Sequence, residues 1–66
     1  MAGNGEIRER IYEAAKDLFY ENGFAKTTLR MIAERADANS AMVSYYFGSK
    51  TQLASEIIGD YYAAAR

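Results

Sequence analysis

The side chains in this chain that could do chemistry are suited to holding hydrogen bonds and charge, not to making or breaking covalent bonds. Its 66 residues include no histidine and no cysteine, so the usual nucleophiles, zinc ligands and disulfides are missing. There is no glycine loop patterned to cradle a phosphate, and no carboxylate pair with a plausible pocket around it. Neither an enzymatic site nor a cofactor is expected. Glu9, Glu13 and Asp17 recur four residues apart and could be read as a metal or acid/base stripe. Nothing elsewhere would complete such a site, so the stripe is expected to be a solvated helix face partly paired with Arg10 and Lys16.

The remaining polar chemistry concentrates between Thr27 and Lys50. The hydroxyls of Thr27 and Thr28 can accept from the free N–H groups of a helix start, and Leu29, Ile32, Ala33 and Ala36 follow at helical spacing. A short helix is expected from about Leu29 to Arg35. Asp37-Ala38-Asn39-Ser40 then favours a turn and a fresh N-cap, because these side chains bond local backbone. A second short helix is expected to begin near Asn39 or Ser40. On it Val43 and Phe47 lie one turn apart and face the first helix, while Ser40, Ala41, Ser44 and Tyr45 fall on the other side. A small, polar outer face lets a helix backbone approach base edges in a major groove. Two short helices joined by a tight turn form a helix-turn-helix layout, whose usual partner is DNA.

Gly48 ends the second helix, and Ser49-Lys50-Thr51-Gln52 matches a capping box that starts another at Lys50. A lysine at a helix N-terminus favours an anion such as a phosphate oxygen. Tyr45 and Tyr46 offer hydroxyls to the same backbone or serve as packing aromatics, with phosphate contact favoured for at least one. Met42 can meet a thymine methyl or fill a gap in packing. Upstream, Ile7, Ile11, Ala14, Ala15 and Leu18 form an apolar helical stripe widened by Phe19. Asn22-Gly23 stops that helix, and Phe24 folds back on its last turn.

The pattern carried by Ile11, Ala14, Ala15, Leu18, Phe19, Gly23, Phe24, Thr27 and Thr28, then by Ile32, Ala33 and Ala36, then by Tyr45, Tyr46, Phe47, Gly48, Ser49, Lys50 and Leu53, resembles the DNA-binding domain of the TetR (tetracycline-repressor) family. The resemblance runs from about Ile7 to Tyr62. It implies an all-α fold: a three-helix DNA-binding bundle at 6–48 after a flexible N-terminus at 1–5, with 49–66 starting a fourth helix toward a C-terminal ligand-binding and dimerisation domain. It further implies that Thr28 and Arg30 contact phosphates, that Asn39, Ser40, Ala41, Met42, Ser44 and Tyr45 face bases and nearby sugar-phosphate, and that Tyr46 and Lys50 clamp phosphate. The implied partner is a palindromic double-stranded operator, bound by a homodimer whose repression a small molecule relieves. The chain departs from the family pattern at Asp37, where glycine is usual, at Ala38 in place of valine, and at Ser44 in place of tyrosine. Aspartate tolerates the left-handed backbone that such a turn needs better than most residues do.

Charge and length set outer bounds. The formal net charge is −1, against the basic balance expected of a nucleic-acid binder. The charge is unevenly distributed, however. Residues 26–50 hold Lys26, Arg30, Arg35 and Lys50 against Glu34 and Asp37, for a net +2, while residues 1–25 carry −2 and the remainder −1. The excess is modest, so a single copy is expected to bind weakly and two copies on adjacent half-sites to bind usefully. Sixty-six residues make one small domain with a thin stability margin. The polar opening is unlike a signal peptide, and no apolar run approaches the roughly 20 residues needed to cross a bilayer. A cytoplasmic, soluble protein without a membrane partner is expected.

Along the fourth helix Leu53, Ile57 and Tyr61 form one apolar line, with Ala54, Ile58 and Tyr62 as a second beside it. Both lines could be core, or the second could dock on a further domain or another chain. The ending Tyr61-Tyr62-Ala63-Ala64-Ala65-Arg66 lacks a C-cap glycine, as expected of a fragment cut within or just after that helix. The alternative function is a helical protein-interaction module that keeps the fold but binds through its acidic first helix or wide fourth helix.

Overall fold

The structure, a computed structural model, describes residues 4–64 as four helices: α1 (Asn4–Asn22), α2 (Leu29–Arg35), α3 (Ser40–Phe47) and α4 (Lys50–Ala64). The fold is all-α, as the spacing of apolar residues requires. The bounds of α2 and the start of α3 fall where the caps and periodicity place them. Helix α1 begins at Asn4, inside the segment expected to be flexible; residues 1–3 lie outside the described residues. None of the helices among the described residues is long and apolar enough to cross a membrane.

One core unites all four helices. The α1 stripe buries Ile11, Ala14, Ala15 and Leu18 against Ile32, Ala33 and Ala36 around α2, Val43 and Phe47 of α3, and Leu53 of α4. Polar links hold the helices in register around it. Arg35 reaches Glu21 at 3.1 Å, tying α2 to α1. Arg8 pairs with Glu56 and lies 4.6 Å from the Phe47 ring centroid. The Tyr12 hydroxyl donates to Asp60 at 2.6 Å, which with partial burial pushes the phenol pKa up to about 12.

Tertiary contacts assign the two adjacent threonines different tasks. Thr28 caps α2, its Oγ1 accepting from the Met31 N–H at 3.1 Å. Thr27 does not cap. It is fully buried, and its hydroxyl lies 2.9 Å from the Gly23 carbonyl and 3.2 Å from that of Leu18. The expectation that both threonines serve the helix start therefore holds for Thr28 alone, since the α1 terminus is also an acceptor and Thr27 is the residue turned toward it.

The turn after α2 is a Schellman motif. The Ala38 N–H bonds the Ala33 carbonyl at 2.8 Å and that of Asp37 bonds Glu34 at 3.2 Å, with Asp37 left-handed at φ 58°. Arg10 completes this end. Its guanidinium donates to the Ala36 carbonyl at 2.9 Å and to that of Asp37 at 3.1 Å. Arg10 was expected to pair with the α1 carboxylates. It serves the α2 terminus instead, where free carbonyls and the negative end of the helix dipole draw a cation. Lys16 does pair within α1, with Glu13 at 3.2 Å.

The two apolar lines of α4 fare differently along their length. Leu53 is fully buried and Ala54 and Ile57 are partly buried, but Ile58, Tyr61 and Tyr62 remain 54%, 69% and 65% exposed. The possibility that both lines are core is thus confined to the first half of the helix. Beyond Ile57, α1 flanks α4 among the described residues, and the aromatic side of α4 lies open with Tyr12 and Lys16 at its edge. Residues 65–66, the end of the expected helical run, lie outside the described residues.

Candidate nucleic-acid interface

Helix α3 is fixed from one side and bare on the other. Val43 and Phe47, 1% and 7% exposed, lock its inner face into the core. Asn39, Ser40, Ala41, Ser44 and Tyr45 are exposed, and Met42 and Tyr46 are half-buried. The Asn39 side chain accepts from the Met42 N–H at 2.9 Å, so the helix starts where small residues lead. Gly48 ends it at φ 88°, a left-handed backbone that favours glycine; a Cβ there would meet only the end of the flexible, exposed Gln52 side chain, which can swing aside. The Ser49 Oγ then accepts from the Gln52 N–H at 3.1 Å and opens α4.

The aromatic and thioether residues divide along this boundary. Tyr45 is 78% exposed and stands edge-on to Tyr46, with ring centroids 5.0 Å apart. Met42 packs partly against the core while keeping some exposed surface, so its stem does fill packing space.

Most of the positive charge near this face is already engaged. Arg30 lies 3.5 Å from Glu34 in an open i,i+4 pair, and Arg35 is paired with Glu21, which raises the guanidinium pKa further by hydrogen bond and charge. Such exposed pairs are weak and exchange readily with solvent or another anion. Lys50, expected at a free helix start, points instead to the α1–α2 loop. Its Nζ donates to the Phe24 carbonyl at 2.8 Å and lies 4.2 Å from the Phe24 ring centroid. That ring in turn packs on Phe19 at 5.7 Å. Lys26, on the same loop, is exposed and has no partner among the described residues. Its charge counts in the +2 of residues 26–50, with no role assigned there. Its position two residues before the α2 cap was the available signal.

Among the described residues no three carboxylates converge to hold a metal ion, and Glu9, Glu13 and Asp17 form an exposed face. The structure thus brings the expected residues of α3 together on one surface and places Thr28 and Arg30 at the start of the neighbouring helix.

The sequence model for bacterial regulatory proteins of the tetR family matches residues 11–57, which include the α1 stripe from Ile11 onward, both short helices and the start of α4. The chain belongs to the TetR family. It is 40% identical over 55 residues to a probable HTH-type transcriptional regulator, YttP of Bacillus subtilis, covering 83% of this chain and 27% of that protein. It is 41% identical over 56 residues to the HTH-type transcriptional repressor Rv3405c of Mycobacterium tuberculosis, covering 85% and 30%. With the transcriptional regulator TtgR of Pseudomonas putida it shares 38% identity over 53 residues, covering 80% and 25%. The chain therefore spans between a quarter and three tenths of the length of these relatives. No significant match was found among solved structures. TetR-family proteins are DNA-binding regulators, and the matched residues include the helix-turn-helix formed by α2 and α3.

Proposed function

We propose that this chain is the sequence-specific, double-stranded-DNA-binding unit of a transcriptional regulator that acts as a repressor and is released by a small molecule bound in a C-terminal domain outside this sequence. One observation carries the reading: α3 exposes Asn39, Ser40, Ala41, Ser44 and Tyr45 while Val43 and Phe47 hold it rigid from behind. Small leading side chains let the helix backbone sit deep in a major groove, and the serines and Asn39 supply donors and acceptors for base edges. Met42 and Tyr45 add apolar and phenolic contacts. Thr28, Arg30, Tyr46 and Lys50 border this face on the side where the sugar-phosphate backbone runs, and they set position more than sequence.

The partner on this reading is a palindromic operator bound by a homodimer, since a region with net charge +2 gives one copy little non-specific affinity. On this reading dimerisation and inducer binding belong to a part of the protein outside this sequence. The open surface of Ile58, Tyr61 and Tyr62 packs against that remainder of the protein.

That same surface favours a second reading, a module that binds another protein through α4. Gel retardation with random-sequence duplex at low salt separates the two. A DNA-binding unit retards the duplex and releases it as salt is added, because bound counterions are displaced on association. An interaction module gives no such shift.

A further inference from the structure

The side chains on the outer face of α3 limit what that face can read. Val43 and Phe47 turn to the core, so a helix of about 3.6 residues per turn points Ala41 and Tyr45 directly away from the bundle. Ser40 and Ser44 flank them on one side, Met42 and Tyr46 on the other. Ala41 is exposed and lies in the first turn, the part of a recognition helix that reaches base edges. The leading group at the centre of the face is therefore a methyl.

The groups that read purines by paired hydrogen bonds are missing from this helix. Ser40–Phe47 includes no arginine, lysine, glutamine or asparagine, the side chains that make bidentate contacts to guanine or adenine. Asn39 stands just before it, but its Oδ1 accepts from the Met42 N–H at 2.9 Å. The amide is thus turned to its own helix and does not present acceptor and donor together to an adenine. Serine hydroxyls donate and accept alike, so Ser40 and Ser44 discriminate weakly between bases. An alanine methyl has one complementary feature in the major groove, the C5 methyl of thymine, and half-buried Met42 adds apolar surface beside it.

We propose that the chain reads its operator chiefly through thymine C5 methyls, and that Ala41 is the specificity-determining residue that meets one in each half-site. The proposal rests on the DNA-binding reading above and names the base feature selected. Ser40 and Ser44 hydrogen-bond along the same groove, while affinity common to all sequences comes from the bordering phosphate contacts.

The test uses duplexes that the full chain itself enriches from a random-sequence library at low salt. Each is remade with deoxyuridine, which lacks the C5 methyl, in place of thymine at one position at a time. At one thymine of a half-site deoxyuridine lowers affinity about fourfold, the effect of one methyl withdrawn from water. In Ala41→Gly that ratio falls below about twofold, because the methyl has lost its partner. A general loss of stability leaves the ratio between two duplexes on one protein unchanged, and any effect of uracil on duplex shape is common to both proteins. If Ala41→Gly does not fold, Ala41→Gln takes its place with the same outcome expected, since glutamine is a good helix former whose length displaces the methyl contact.

Deoxyuridine tolerated within about twofold throughout the enriched duplexes overturns the proposal. So do enriched sites fixed by G·C pairs alone, or a ratio unchanged in Ala41→Gly. In each of these cases sequence-selective retardation leaves the DNA-binding reading standing. A chain that neither enriches nor retards any duplex at low salt removes both.

Discussion

Thr27 and Thr28 are adjacent and chemically identical, yet the structure predicts opposite tolerance to the same substitution. Thr27 is fully buried with its hydroxyl on the Gly23 carbonyl, and Thr28 is exposed with its hydroxyl capping α2. Valine at position 27 keeps the volume but strands the Gly23 carbonyl, since Leu18 lies within α1 and its carbonyl also serves the helix ladder. The Gly23 carbonyl is part-buried, so losing its donor costs less than the roughly 1–3 kcal/mol of a fully buried acceptor, and the added methyl offsets part of that; a loss of about 1 kcal/mol is expected. For a domain of this size, with total stability of roughly 3–10 kcal/mol, the variant stays folded. Its melting temperature falls by roughly 4–8 °C for each kcal/mol lost.

Aspartate sharpens the contrast. Thr28→Asp leaves a good N-cap in place and changes stability by less than about 0.5 kcal/mol. Thr27→Asp buries an acid among carbonyls and costs several kcal/mol, roughly enough to unfold the chain. Urea titrations and thermal melts followed by circular dichroism measure all three variants. Equal tolerance of aspartate at both positions, or Thr27→Val as stable as the unchanged chain, refutes the assignment of roles.

Further outcomes follow from other contacts. Asp37, left-handed at φ 58°, is expected to accept glycine with a change below about 0.5 kcal/mol, whereas Asp37→Val loses about 1–2 kcal/mol in the same urea titration, because a branched Cβ resists that conformation. Because the Tyr12 phenol is raised to about 12 in the fold, its contribution to stability is present below the ordinary tyrosine value near 10 and is lost as pH climbs through the folded value. Ultraviolet titration therefore shows a phenol step near the raised value, and Tyr12→Phe removes it. Tyr45→Ala, at a residue 78% exposed, changes stability by less than about 0.5 kcal/mol in thermal melts while weakening duplex binding in gel retardation.

The local elements of this fold were legible in the sequence because short-range chemistry determines them. Leu29–Arg35 follows from a capping threonine and apolar spacing, and Asp37 followed by Asn39 marks the turn and the next cap. The two faces of α3 were equally legible, since Val43 and Phe47 fall one turn apart with small residues opposite. What could not be read were contacts between residues far apart in sequence. Arg10 lies 26 residues from the Ala36 carbonyl it caps, and its neighbours in sequence pointed to carboxylates instead. Lys50 satisfied every local rule for a free helix start, and only the folding of the α1–α2 loop beneath it supplied the Phe24 carbonyl. Thr27 and Thr28 are indistinguishable until the end of α1 is packed. Lys26 gained interest only by elimination, once the partners of the other described cations were known.

The most direct test of the account is a nitrogen-15 amide spectrum of the chain titrated with duplex DNA at low salt. The account predicts that the largest shifts fall on Ser40, Ala41, Ser44 and Tyr45, with the Glu9, Glu13 and Asp17 face of α1 unchanged. Shifts concentrated on that α1 face or on Ile58, Tyr61 and Tyr62, with α3 silent, would contradict it.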